Sequence, residues 1–319
     1  MKKYSIAQFR KDFPNEKACL IHLAAQRWPD GIHCPKCAKV TRFHARNNRR
    51  KMACQVCGYQ VAPTADTIFH KSATPLSLWF HATFLMASTR CGISAKQVER
   101  ELGVTYKTAW RMCHLIRKQL DEGNSPLGGG SGDVEIDETY IGGKRPGKRG
   151  RGADGKTAVV GMVERQGRVY AIAVPRVDKL TILPMIRANV DKSATIHTDE
   201  FQVYNSLTRL GFIHQRVWHG AKEYARGDVH TNTIEGFWSL FKRSVDGTHH
   251  SISPLYLQNY LSEYVFRYNH RNDKQPMFRS FLNRLALPLG APPSTAPNRT
   301  LPALFPAGSF GRRAWEPLV

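Results

Sequence analysis

Four cysteines constrain this chain more than any other feature. They form two Cys-x2-Cys pairs, Cys34 with Cys37 and Cys54 with Cys57, with sixteen residues between the pairs. Each pair makes a tight knuckle that presents two thiolates, and two knuckles complete a tetrahedron around structural Zn2+. Gly58 follows the second pair, where a knuckle often needs a residue without a Cβ. Asp30-Gly31 and Pro35 add turn chemistry. The opening residues, MKKYSIAQFRKDFP, carry three lysines but no apolar signal-peptide core, so bound metal is expected in place of disulfides. Cys19, Cys91 and Cys113 sit among apolar residues and read as buried, inert thiols. The spacing predicts a zinc ribbon over residues 30–62, behind an N-terminal helical segment over 1–29.

Charge says what such a ribbon meets. The 319 residues hold 47 Lys plus Arg against 25 Asp plus Glu, a formal net charge of +22. That balance points to a polyanion, most simply nucleic acid, and double-stranded DNA is the partner expected. RFHARNNRRKMAC, between the knuckles, is dense in arginine, and Arg42, Arg49 and Arg50 are expected on DNA phosphates. Downstream, Pro75 opens an apolar helix. Ser94 then reads as the cap of a helix over Ala95–Leu102, Gly103 breaks it, and Thr105 caps a second helix. Residues 75–120 thus carry a helix-turn-helix outline, with Lys107 and Arg111 at the exposed start of the second helix as base-reading candidates. Plain helical packing gives the same pattern and stays open. No run of 18 apolar residues occurs, so no membrane span is expected. A cytoplasmic, nucleoid-associated protein, in a bacterium, is the expectation.

Residues 121–132, DEGNSPLGGGSG, read as a linker. The pattern then changes. VEIDETYI alternates, with Val134, Ile136 and Glu138 on one face and Glu135, Asp137 and Thr139 on the other. A basic glycine-rich loop, two apolar strands joined at Gln166-Gly167, and a helix despite Pro184 follow. Next come a strand ending in Asp199, a helical stretch over 201–212, a short strand in HQRVWH and the helix TNTIEGFWSLFK. The order of three strands, helix, strand, helix, strand, helix fits an α/β RNase-H-like domain with a mixed sheet over 133–275. On a wheel of 100° per residue, Lys242 falls about 20° from Glu235, opposite Ile234, Phe237, Leu240, Phe241 and Val245. Asp137, Asp199 and Glu235 would converge. Three carboxylates suit two divalent ions, Mg2+ or Mn2+, that clamp the attacking and leaving oxygens of phosphoryl transfer, with Lys242 beside the phosphate.

The CPKC/CQVC ribbon, VEIDETYIGGK, IHTDEFQVYNSL and HTNTIEGFWSLFKR together resemble DDE-class insertion-sequence transposases, of the group with an N-terminal zinc ribbon. Thirty-five residues separate Asp199 from Glu235, and Lys242 lies seven beyond Glu235, as in many DDE enzymes. The resemblance implies that Asp137, Asp199 and Glu235 hold the metal, with Asn232 as an alternative third ligand and cap. It implies an enzyme that binds element ends, hydrolyses a phosphodiester and transfers the strand, working as a homodimer or higher oligomer on DNA. A DNA-binding regulator with an inactive RNase-H-like domain, and a structure-specific nuclease that cuts without joining, remain as alternatives. Leu257, Tyr260, Leu261, Tyr264, Val265 and Tyr268 read as core or dimer surface, and 276–319 as a Pro-rich tail.

Overall fold

In the computed structural model, which describes residues 3–45, 50–123, 126–142, 155–217 and 229–289, the chain divides into two units. One comprises 1–90, 95–120 and 273–319; the other comprises 91–94 and 121–272. Arg46–Arg49, the basic loop over 143–154, Trp218, His219 and the chain beyond 289 lie outside the described residues.

The first unit starts with α1 (Ile6–Asp12) and α2 (Glu16–Arg27), whose first turns are closed by Ser5 and Asn15 accepting from Gln8 N and Ala18 N. The ribbon follows. β1 (Ile32–His33) pairs with β2 (Val40–Thr41), and β3 (Phe43–Ala45), β4 (Met52–Cys54) and β5 (Gln60–Val61) make an antiparallel sheet. α3 (Leu76–Ser88) is apolar nearly all round and correspondingly buried. Its N-terminus is capped from a distance, with the Glu16 carboxylate accepting from Leu76 N and Ser77 N at 2.9 and 3.0 Å. α4 (Ala95–Leu102) and α5 (Tyr106–Gln119) are joined through Gly103 in the left-handed region at φ +64. Thr105 caps α5 by accepting from Thr108 N.

Two expectations change here. Residues 277–285, read as Pro-rich tail, form a helix, α9 (Met277–Leu285), that belongs to the first unit. Phe278 joins the rings of Phe9, Phe13 and Phe84, and the Gln119 amide donates to the carbonyls of Leu287 and Pro288 at 3.2 Å. The prolines beyond it drew the boundary too early. Cys91, read as buried, is exposed, whereas Cys19 and Cys113 are buried.

The second unit is built on a five-stranded sheet of order β10-β9-β6-β7-β8. β6 (Asp133–Ile141), β7 (Thr157–Glu164) and β8 (Val169–Val174) form an antiparallel meander. β9 (Thr195–Thr198) runs parallel to β6, and β10 (Ile213–Arg216) parallel to β9. α6 (Lys179–Asn189) starts at Asp178, which accepts from Thr181 N, and tolerates Pro184. It covers one face, burying Ile182 and Ile186 with Val134, Ile136, Val160 and Ile196. On the other face lie α7 (Asn232–Ser244) and α8 (Leu257–Asn269), which bury Ile234, Phe237, Trp238, Phe241, Leu257, Leu261 and Tyr264 with Val159, Val163 and Ala171. Of the residues read as core or dimer surface on α8, Tyr260, Val265 and Tyr268 also pack against this cluster. That face is core.

Two more expectations give way. Residues 201–212 form two short 3-10 turns, Gln202–Ser206 and Thr208–Leu210, because the connection between parallel neighbours is short and Gly211 at φ +81 ends it. The second half of the expected linker is built into this unit: Leu127 is buried, bridges Val190, and exchanges backbone bonds with Asn189 and Asp191.

Candidate functional site

The two knuckles are near copies. Ala38 N returns to Cys34 O at 2.9 Å and Gly58 N to Cys54 O at 3.0 Å. Cys34 N reaches Lys39 O and Cys54 N reaches Tyr59 O, at 2.9 and 2.8 Å. Gly58 takes a φ of +69, and Ala38 takes +52 at the equivalent place despite its Cβ. All four sulfurs lie within 4.8 Å of one another, with Cys34–Cys57 at 3.5 Å and Cys37–Cys54 at 3.9 Å. Zn–S bonds of about 2.3 Å in a tetrahedron set sulfurs roughly 3.8 Å apart. The cluster fits structural zinc.

The expected DNA contacts separate. Lys107 and Arg111 are exposed on α5, with the Arg111 guanidinium 6.0 Å from the Trp79 ring centre. Arg42 is half-buried, and Arg49 lies outside the described residues. Arg50 does not fit a free phosphate contact. Its guanidinium donates to Glu16 Oε1 at 2.9 Å and to the carbonyls of Ser72 and Thr74 at 2.6 Å. It ties the ribbon to the carboxylate that caps α3, so the expectation for Arg50 is corrected to an internal clamp.

The carboxylates sit on the other unit. β6 pairs with β9 in a register of Asp133 with Thr195, Val134 with Ile196 and Glu135 with His197. Carried two residues on, that register sets Asp137 beside Asp199, the first residue past β9. Asp199 also accepts from Phe201 N at 2.9 Å, which turns the chain out of the strand. α7 lies over the same sheet face. Its Trp238 Nε1 donates to Asp137 Oδ2 at 3.0 Å, and Glu235, one turn before Trp238, is exposed and accepts from Thr231 Oγ1 at 2.9 Å. Lys242 is exposed two turns further along. Electrostatics register the convergence. Burial, then the charges of Glu138 and Asp199, and at smaller strength Glu235, push the Asp137 carboxyl up to about 7. On the opposite face, Glu138 accepts from the buried Tyr204 hydroxyl at 2.9 Å.

Asn232, read as cap or third ligand, is the first residue of α7 and does not cap it. The free N–H groups of Thr233 and Ile234 are taken by Glu135 Oε2 at 2.7 and 3.0 Å. A side chain from a strand has replaced the local cap. Sequence reasoning missed Glu135 and Trp238. Their signal was faint: Glu135 shares the Asp137 face in the alternation, and Trp238 stands about 60° from Glu235 on the wheel.

Among the described residues, the four cysteines are the one group of at least three His, Cys, Asp or Glu side chains whose donor atoms all lie within 4.8 Å of one another. Asp137, Asp199 and Glu235 are spread more widely. A pair of ions about 3.5–4 Å apart takes donors on its outer sides, so a wider set of hard oxygens suits two Mg2+ or Mn2+ ions better than one. Mutual repulsion at Asp137 is what a cation would relieve, and on this chemistry the residues fit.

Comparison with known proteins shows the family. Residues 129–269 match the ISXO2-like transposase domain, and residues 14–60 match the transposase zinc-ribbon domain. A protein of transposable element ISH50 from Halobacterium salinarum is 30% identical over 276 residues, 81% of this chain and 92% of the relative. A transposase-like protein of Haemophilus influenzae is 32% identical over 107 residues, 34% of this chain and 85% of its own length. A crystal structure of a pre-cleavage Mos1 transpososome covers 60% of this chain and 74% of that one at 12% identity, and its TM-score of 0.24 gives it no weight. The class is therefore that of the transposases. Within it, this chain belongs to the insertion-sequence family that joins an N-terminal zinc ribbon to an ISXO2-like transposase domain. No helix among the described residues is long and apolar enough to cross a membrane.

Proposed function

We propose that the chain is a DDE-class polynucleotidyl transferase with an RNase-H-like catalytic unit. It binds the ends of its element, hydrolyses a phosphodiester there and directs the freed 3′-OH at target DNA. The observation that carries this reading is the β6–β9 register, which sets Asp137 beside Asp199 while α7 brings the charge of Glu235 to bear on Asp137. The strand order, with β6 central and β9 and β10 parallel to it, supports the RNase-H-like assignment.

Asp137, Asp199 and Glu235 would hold two Mg2+ or Mn2+ ions, which when bound supply Lewis acidity to the attacking and leaving oxygens. The protein's own part is positioning. Trp238 fixes one oxygen of Asp137 by donating its indole N–H to it. Lys242, on the exposed face of the same helix, offers its ammonium to a phosphate. Between the two candidate third ligands, Glu235 is favoured over Asn232: its charge is felt at Asp137, and an anion neutralises a divalent ion better than an amide. The ribbon and the exposed start of α5, with Lys107 and Arg111, would hold the element ends. Two ends must be held together, so two or more protomers are expected on DNA.

The test is metal-dependent strand transfer on a pre-cut end. Asp137→Asn, Asp199→Asn and Glu235→Gln should each keep end binding and abolish joining, whereas Asn232→Ala should retain it. Joining at wild-type rate by Glu235→Gln, with loss in Asn232→Ala, would exchange the two roles. Wild-type joining by Asp137→Asn would overturn the reading altogether.

A further inference from the structure

A second polar layer lies under the three carboxylates, and each member stands two residues before one of them. Glu135 precedes Asp137 on β6, its register partner His197 precedes Asp199 on β9, and Thr233 precedes Glu235 on α7. The side chain of Glu135 is fully buried. Its Oε2 accepts from the backbone of Thr233 and Ile234 at 2.7 and 3.0 Å. Its Oε1 accepts from Thr233 Oγ1 at 2.9 Å and Arg165 Nε at 2.8 Å, and lies 3.1 Å from His230 Nδ1. Arg165 also donates to His230 O at 3.0 Å and stands 3.7 Å from Asp133, which meets His197 Nε2 at 2.8 Å.

Capping alone does not explain this arrangement. A helix start is ordinarily satisfied by a Ser, Thr, Asn or Asp at the cap position, and Thr231 occupies that position on α7 without capping. Burying a carboxylate instead carries a large desolvation cost, offset only by close opposite charge and full hydrogen bonding. Glu135 has both, from Arg165 and from the positive end of α7. What the carboxylate adds is a link between elements. It fixes the first turn of α7, which carries Glu235, to the strand that carries Asp137, and Arg165 extends the link through Asp133 to the strand that leads to Asp199.

We propose that Glu135 is a positioning residue for the metal site, setting the distance of Glu235 from Asp137 by clamping the N-terminus of α7 to β6. This rests on the metal-dependent reading above. Partners that orient metal ligands typically contribute 10–100-fold to metal affinity.

The experiment is calorimetric titration of Mn2+ into the zinc-loaded full chain without DNA, beside thermal unfolding without Mn2+. Glu135→Gln should weaken Mn2+ binding about 10–100-fold. Thr233→Ala keeps the charge and both backbone bonds but loses one contact, and should weaken it measurably less. Asp137→Asn should abolish it. A merely structural Glu135 would lower the unfolding temperature and leave the affinity of the folded protein unchanged; that result overturns the proposal. Should Glu135→Gln not fold, Thr233→Ala decides, and wild-type affinity there overturns it. If Asp137→Asn and Asp199→Asn both bind Mn2+ like wild type, it is the metal-dependent reading that fails.

Discussion

Replacing Gly161 with alanine should disable the carboxylate site without touching a carboxylate. Gly161 lies on β7 directly opposite Asp137 in the antiparallel register, and α7 crosses the sheet there. A Cβ at this position would stand 2.7 Å from Trp238 Cη2, closer still to Cζ2, and 2.9 Å from Ile234 Cδ1. Carbon atoms settle at about 3.5–4.0 Å, so the helix must lift or Trp238 must turn by about 1 Å. Backbone and a buried indole give way poorly, and such overpacking costs about 1–3 kcal/mol. For a unit of this size that is roughly 2–12 °C in unfolding temperature. The same displacement would stretch the 3.0 Å bond from Trp238 to Asp137 beyond hydrogen-bonding range and pull Thr233 and Ile234 from Glu135. Strand transfer should therefore fall more than stability alone accounts for, when assayed well below the unfolding temperature. A Gly161→Ala protein with unchanged unfolding temperature and wild-type joining would refute the idea that close approach of α7 builds the site.

Other expectations concern the first unit. The cysteine cluster should hold one zinc per chain, released on denaturation or thiol modification, and Cys34→Ser should lose the metal and unfold the ribbon; zinc-free protein with Cys34 and Cys54 freely alkylated would contradict this. His22 is buried among Phe13 and Phe80, neither ring nitrogen has a hydrogen-bond partner among the described residues, and burial, then the charge of Arg279, lowers its pKa to about 3. The folded state thus refuses a proton that the unfolded chain takes near pH 6.5. Stability from this group is complete above that pH and is lost as pH falls toward 3, by about 2 kcal/mol at pH 5. His22→Leu should flatten that part of the pH–stability curve, and an unchanged curve would show that His22 is not the group responsible.

The parts of this protein that were legible in its sequence are those whose chemistry lies in local spacing. Two Cys-x2-Cys pairs specify their own knuckles. Thr105 and Gly103 mark a helix boundary by short-range bonds. The alternation in VEIDETYI sets Glu135 and Asp137 on one face whatever the strand pairs with. Failures began where the outcome depends on what lies across the sheet. Residues 201–212 have apolar residues at helical intervals, but the connection from β9 to β10 leaves room for 3-10 turns only. Arg50 looked like one more surface charge until Glu16, thirty-four residues earlier, came within 2.9 Å of it.

The sharpest case is Glu135 itself. A glutamate on an alternating strand is harmless when its face meets water, and costly when it does not. β6 is the central strand of five, with α7 across its odd-numbered face. Central position is a property of strand order, which alternation does not encode. Once that order is fixed, a carboxylate at 135 must find positive partners in a dry layer, and a helix N-terminus with an arginine beside it is a solution that satisfies all of its lone pairs. The helix so captured carries Glu235 in that same first turn. In this fold, satisfying one buried acid and presenting another to solvent are a single packing problem.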